Sequence, residues 1–431
     1  MSRANKHCFS CPCQNRSVVL SWLLGFLAAG VACSVATIDE QIVERIGEGI
    51  VRIFRNAIAK LQARPSWALV GSPPAERIES ANIRMKPVFS RTQEQRHSAE
   101  IQIDPGTDLY GTGEVAGPLR RNGRVVECWN SDIPGYGEKD PSLYQSHPWV
   151  LAVRPDGTAF GVIADTAARC RIDLRNSIKF EAEGPPFPII VIERDTPLEV
   201  VQALAALTGK IEMPPKWALG YHQCRWSYES AERGLEVAKA MREHRIPCDT
   251  IWFDIDYMDG FRVFTFDKER FPDPKGLINE LADLGFSSVW MIDPGVKADP
   301  DYWVFRQGHD RGYFVSTPRG SMFRGDVWPG ACAFPDFSSD RVRTWWAGLY
   351  TGFAEMGVRG VWNDMNEPAV FDQPTKTMPV NVRHDAGPHS LVHNVYGMLM
   401  TRGTYEGLRQ LLPDRRPFVL SRSGYLGYQR Y

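Results

Sequence analysis

The chemistry most legible in the sequence is that of carboxylates at strand ends. In VWNDMNEP, residues 361–368, side chains that alternate across a strand would share a face at Trp362, Asp364 and Asn366. A carboxylate beside an indole in a partly dry cleft suits a nucleophile. It could attack a sugar's anomeric carbon and steady an oxocarbenium-like transition state. The bland alternative is that Asp364 only caps the following loop. Glu367 breaks the alternation and is expected to supply a supporting hydrogen bond. In IWFDIDYM the same alternation groups Trp252, Asp254 and Asp256, two carboxylates able to accept from sugar hydroxyls. A structural bond to loop backbone is the stronger reading for Asp256 than for Asp254. MIDPGV adds Asp293, although an aspartate before proline is often a turn residue. Three successive strands each delivering an aspartate to one rim make a stronger pattern than any one alone. No His/Cys/carboxylate grouping has metal spacing, and there is no phosphate-cradling glycine loop and no G-x-S-x-G elbow. Neither metal nor cofactor is expected.

These carboxylates need elements to hold them. After Pro215, short apolar runs alternate with helical stretches: ALGYHQ, a helix over 229–244, DTIWFDIDYM, a helix over 275–284, SSVWMIDP. A helix over 341–356, RGVWNDMN, a helix over 395–411 and PFVLSR continue the series. Strand–helix alternation predicts parallel strands with helical crossovers. Five such strands fit into residues 216–431, so the expected architecture is an incomplete TIM (β/α)8 barrel, whose sites lie at the strands' C-terminal ends. Before it, residues 67–215 read as an antiparallel β-sandwich domain, from alternating runs such as AEIQID, WVLAVRP, TAFGVIAD and CRIDLR between turn residues. PLEVVQALAALT closes that region as a short helix. Residues 37–66 read as a helical lead-in, because apolar residues of 38–63 fall at helical spacing.

With 50 Lys+Arg against 51 Asp+Glu and no long run of one sign, the chain lacks the basic patch of a nucleic-acid binder. The 13 Trp and 14 Tyr suit a cleft that stacks sugar rings as well as they suit a large core. Residues 1–36 differ: Arg3, Lys6 and Arg16 precede an uncharged apolar run, with small residues at Ser34 and Ala36. That pattern predicts a signal peptide and a secreted or periplasmic protein, with an uncleaved membrane anchor as the alternative. Beyond this leader Cys128, Cys170, Cys224, Cys248 and Cys332 are widely spread, and buried thiols are expected rather than a disulfide framework.

WNDMNEPAVF closely resembles the nucleophile signature of glycoside hydrolase family 31, written W-x-D-M-N-E. The resemblance extends in order through LYGTGE (109–114), CWNSD (128–132) and LYQSHPW (143–149), similar to the family's N-terminal β domain. WALGYHQCRWSY (217–228), DTIWFDIDYMDG (249–260), FTFDKERFPDP (264–274), DVWPGACAFPDF (326–337) and RPFVLSRSGYLGYQRY (416–431) resemble its barrel. The resemblance implies a retaining α-glycosidase acting on terminal α-glucosidic bonds of oligosaccharides, with Asp364 as nucleophile. It implies that Asp254, Asp293 and Arg422 hydrogen-bond the sugar and that Ile255, Trp328 and Trp362 form apolar walls. Asp132 would reach the site from the β domain, and His384 and Arg324 fall in loops expected near the cleft.

Phe266 and Asn363 differ from the residues usual at those positions. In the family a W-x-G-D segment, carrying the general acid/base, follows the Gln-Arg-Tyr stretch, whereas this sequence stops at Tyr431. That leaves a second expectation, a sugar-binding fragment without turnover.

Overall fold

The computed structural model describes residues 40–79 and 84–431. In it two facing sheets precede a parallel one. The first runs in the order Gly424–Tyr425, Gln145–Val153, Ala159–Ala164, Ile189–Arg194, Ile50–Phe54, Ile42–Gly47, Glu76–Ile78, with Asp108–Gly113 also on Gln145–Val153. The second runs Val88–Arg91, His97–Ile101, Ile178–Ala182, Cys170–Asp173, Val125–Cys128. Ile53, Ile101, Val150, Phe160, Val162, Ile172, Phe180 and Val191 pack between them, as alternation in a sandwich requires. Helix Pro197–Thr208 leaves this unit behind a capping box, in which Thr196 and Glu199 satisfy each other's backbone N–H groups.

The single helix expected over 38–63 is not what forms. Ile42–Gly47 and Ile50–Phe54 make an antiparallel hairpin, and only Ala57–Gln62 is helical. Both faces of the hairpin are covered: Val43 and Ile53 enter the sandwich core, while Ile46 and Ile50 join the cluster that extends into the barrel. A strand buried on both faces has apolar residues at nearly every position, and over a short span that imitates helical spacing. Gly49 turns the hairpin at φ +55°, where a Cβ would lie 2.8 Å from the Glu193 carbonyl oxygen. The leader, residues 1–36, lies outside the described residues.

Five parallel strands form the barrel sheet: β1 His222–Gln223, β2 Thr250–Phe253, β3 Ser287–Ile292, β4 Gly360–Asn363 and β5 Val419–Ser421, hydrogen-bonded in that order. Every residue of β2 and β3 is buried, as expected of parallel strands covered on both faces. Helices Ala231–Glu243 and Pro274–Asp283 make the first crossovers, capped by the Ser230 and Asp273 side chains. Between β3 and β4 the chain departs from simple alternation. It adds helix Trp303–Asp310 and a small antiparallel sheet of Val296–Lys297, Gly330–Ala333 and Gly325–Val327. The helix expected over 341–356 is two helices, Asp340–Leu349 and Thr351–Met356, joined at Tyr350. After β5, Gly424–Tyr425 pairs with Gln145–Ser146. The segment that ends the fifth barrel strand is therefore also an edge of the first sandwich sheet.

Candidate active site

Each of four charged residues stands one place past a barrel strand: Asp254 after β2, Asp293 after β3, Asp364 after β4 and Arg422 after β5. Strand pairing continues just far enough to fix two of them. The Asp364 N–H donates to the Ile292 carbonyl at 3.2 Å, and the Arg422 N–H donates to that of Asn363 at 3.0 Å. Alternation then stops. Met365 adopts φ +54°, so Asn366 does not face the cleft; its amide donates to Ser421 Oγ at 2.9 Å, and its Oδ1 accepts from the Ser423 N–H at 3.0 Å. Asp254 opens a 3-10 turn and accepts from the Ile255 N–H at 2.7 Å. Inside that turn Asp256 points to Arg270, at 3.6 Å, and not to the cleft with Asp254.

The Arg422 guanidinium organises the site. It donates to both oxygens of buried Glu367, at 2.9 and 2.6 Å, a two-pronged geometry that suits a planar guanidinium. Its Nε lies 3.2 Å from Asp364 Oδ1, and its Nη2 lies 3.8 Å from Asp132 Oδ2. The Asp132 carboxylate also accepts from the Tyr144 hydroxyl at 3.3 Å, so the β domain does deliver an acidic group here. The approach of Arg422 to Asp364 is not aligned as a hydrogen bond, and Asp364 Oδ1 has no hydrogen-bond partner. Burial pushes the Asp364 carboxyl up to about 7; Arg422 opposes this, while Glu367 and Asp254 add to it. Asp293 is more enclosed. Burial, reinforced by Asp364, holds its acid far above the usual carboxylate range, and its Oδ1 is unpartnered. Burial raises Asp254 as well. Crowded carboxyls with split protonation are the setting in which acid, base and nucleophile roles arise.

Trp362 sits edge-on to Trp252, with ring centroids 5.8 Å apart, and its indole N–H is buried without a partner. Ile255 is 3% exposed and packs into the core beneath the site. Trp328 lies instead in an exposed aromatic rim, 5.5 Å from Trp226, 5.3 Å from Phe371 and 6.4 Å from Phe261. His384 is not in the cleft. It is buried against Asp336 and His389, whereas Arg324 is exposed. Two neighbours escaped the sequence reading. Cys224 is exposed, not the buried thiol expected, unlike Cys128, Cys170, Cys248 and Cys332. It stands close enough to Asp254 and Asp364 that, beyond partial desolvation, their charges help push its thiol up to about 11. Trp226, two residues on, is exposed beside Trp328. Their position directly after a barrel strand was the available signal.

Comparison with known proteins agrees with this architecture. The model of the glycosyl hydrolases family 31 TIM-barrel domain matches residues 211–431, and that of the glycosyl hydrolase 31 N-terminal galactose mutarotase-like domain matches residues 86–173. Alpha-glucosidase 2 of Bacillus thermoamyloliquefaciens is 44% identical over 338 residues, which cover 76% of this chain and 43% of that protein. Human neutral alpha-glucosidase C is 34% identical over 72% of this chain and 37% of its own length. The chain thus spans less than half the length of these relatives. Among solved structures, the family 31 alpha-glucosidase of Bacteroides thetaiotaomicron superposes with TM-score 0.70 at 47% identity, over 78% of this chain and 56% of that one. A family 31 dextranase of Flavobacterium johnsoniae, complexed with isomaltotriose, superposes with TM-score 0.81 at 26% identity, over 92% and 53%. A TIM-barrel domain behind an N-terminal sandwich, matched over half its length by the family's own model, places this chain in glycoside hydrolase family 31.

Proposed function

We propose that this chain carries the sugar-binding side and the nucleophile of a retaining α-glucosidase that cleaves terminal α-glucosidic bonds by double displacement. The observation that carries the reading is Asp364: a carboxylate one place past barrel strand β4, 3.2 Å from Arg422 yet tied to it by no hydrogen bond. An oxygen held this way can attack the anomeric carbon while the bond to the leaving oxygen breaks and that oxygen takes a proton from a general acid. The product is a glucosyl ester on Asp364. Water, deprotonated by the same second group, then displaces Asp364 and restores the original anomeric configuration. The second carboxyl should stand about 5–5.5 Å away. Glu367 is a poor candidate because the Arg422 fork occupies both its oxygens. In our reading that role belongs to the aspartate of the W-x-G-D segment which, in the family, follows Gln-Arg-Tyr.

Asp254, Asp293, Asp132 and Arg422 would bind hydroxyls of the ring being cleaved, with Trp362 as an apolar wall. The exposed rim of Trp226, Trp328 and Phe371 suits the remainder of an oligosaccharide, since sugars present apolar ring faces to aromatics. The name alpha-glucosidase on the relatives and the isomaltotriose bound by the dextranase support an α-glucoside substrate. The leader supports a secreted or periplasmic site of action.

The test is capture of the intermediate. Treating the intact enzyme with a fluorinated glucosyl fluoride, which forms the ester fast and releases it slowly, should add one sugar mass to the peptide holding Asp364. Asp364→Ala should lower kcat by about ten-thousand-fold. A label on any other residue, or turnover retained by the variant, overturns the assignment.

A further inference from the structure

Behind the site lies a row of buried imidazoles that the proposed reaction does not use. Asp336 Oδ1 lies 3.1 Å from His384 Nδ1, and His384 Nε2 lies 3.0 Å from His389 Nδ1. His389 Nε2 is 3.1 Å from His393 Nδ1, and His393 Nε2 is 2.8 Å from the Asn130 carbonyl oxygen. All three rings are buried, and among the described residues no group has the geometry to hold a metal ion.

Counting protons decides the state of this row. Asp336 accepts from the Ser338 N–H and hydroxyl and from the Asp385 N–H, at 3.1, 2.6 and 2.6 Å. It is therefore an ionised acceptor, and His384 must donate to it. At the other end the Asn130 carbonyl can only accept, so His393 must donate there. Four contacts need four N–H groups, while three neutral imidazoles supply three. One ring must be doubly protonated. Burial drives His389 far below the ordinary imidazole value and His393 to about 3, which keeps those two neutral. Burial alone would raise Asp336, but His384 and Ser338 hold it below its usual value.

We propose that His384 is an imidazolium paired with Asp336, that His389 and His393 are neutral rings protonated at Nε2, and that this row positions the 129–132 loop over Arg422. The far end supports the positioning role. His393 stacks on Trp129 at 3.7 Å between centroids, and the Asn130 side chain donates to Ser423 Oγ at 2.7 Å. Asp132, two residues further, faces Arg422. Proton exchange has a route at the outer end, where Asp336 and His384 line a cavity of about 350 Å³ together with His309, Arg341, Arg383 and Asp385. The other groups around the row are Thr377, 3.3 Å from His393 Nδ1 but able to spend its proton on the Pro368 carbonyl; Tyr396, 6.1 Å from His384; and Arg343 and Arg169, whose charges act on Asp336 and His393. The inference does not depend on which bond the site cleaves.

Nitrogen-15 NMR of the full chain labelled at histidine tests it. At neutral pH one buried ring should show both nitrogens protonated, and two should show Nε2–H with a bare Nδ1. Three neutral rings, or a protonated Nδ1 on His393, would overturn the proposal. Asp336→Asn removes the counter-charge, so the imidazolium signal should be lost. The fluorine resonance of Trp129, in 5-fluorotryptophan protein, should shift as the His393–Asn130 link fails. A folded Asp336→Asn protein that keeps the imidazolium and an unmoved Trp129 signal would also overturn it.

Discussion

Arg422 grips Glu367 with two hydrogen bonds, at 2.9 and 2.6 Å, and leaves Asp364 at 3.2 Å without one. The guanidinium thus neutralises the neighbourhood while the proposed nucleophile keeps a free lone pair. Glu367 is 1% exposed, and a buried carboxylate of this kind persists only when paired. The division of labour separates a residue that anchors the arginine from one that can react.

Removing the anchor's charge should therefore alter the nucleophile. In Glu367→Gln, Asp364 loses a repelling neighbour and Arg422 is freer to approach it, so the Asp364 carboxyl should ionise at lower pH. The acidic limb of kcat/KM against pH should move down, and stability should fall by about 3 kcal/mol because a buried ion pair has lost one partner. A limb that stays in place or moves up would show that Glu367 does not act on Asp364.

The unmodified enzyme should itself show an unusual acidic limb. Asp364 must be ionised to attack, and burial holds its carboxyl up to about 7. In the free enzyme the rising limb of kcat/KM should extend toward pH 7 before ionisation of the general acid brings it down, rather than being complete near pH 4 as for an exposed aspartate. Because Asp293 and Asp364 interact, the limb reports the pair. A plateau already complete at pH 5 would mean the carboxylates are far better solvated than the structure shows.

Which parts of this arrangement were legible follows from the length scale of each interaction. The strand ends bearing Asp254, Asp293 and Asp364 could be read from local apolar runs that stop at a charged residue. The faces of Asp256 and Asn366 could not, because alternation holds only within a strand. The second strand ends at Phe253, and Met365 at φ +54° breaks the continuation past the fourth. The Glu367–Arg422 fork joins residues 55 apart, and Asn130 meets Asn394 across 264. No spacing rule reaches so far. The opening hairpin was misread for the opposite reason: its local pattern is genuine but ambiguous, since burial on both faces erases the period of two.

Asp293 should trade stability against function. Its folded-state acid is held far above the value of a free aspartate, so the fold binds this proton more tightly than the unfolded chain does. Its contribution is favourable at low pH and is lost as pH rises beyond about 4, the ordinary aspartate value. Asp293→Asn cannot ionise, so its melting temperature relative to the parent should improve steadily from pH 5 to pH 8. Activity should meanwhile drop, because the amide replaces one of the two carboxyl oxygens proposed to bind substrate hydroxyls. Scanning calorimetry across that range checks the slope; parallel curves for the two proteins would refute it.

The helix His393–Leu411 presses its backbone directly on the segments that hold the site. A Cβ added at Gly397 would come within 2.8 Å of the Asn366 carbonyl oxygen and 2.9 Å of the Ser423 carbonyl oxygen. These are main-chain atoms, unable to rotate away, beside Glu367 and Arg422. Gly397→Ala should therefore cost about 2 kcal/mol, as overpacking does, and should lower kcat/KM by displacing the Arg422–Glu367 fork. Gly403 lies in the same helix, yet a Cβ there meets Arg343 only at 3.5 Å, an ordinary contact. Gly403→Ala should leave activity unchanged and should stabilise the helix by up to about 1 kcal/mol, because alanine is the better helix former. Thermal unfolding and turnover of the two variants side by side distinguish close backbone packing from a general intolerance of this helix to substitution. Equal losses in both would remove Gly397 from any special relation to the site.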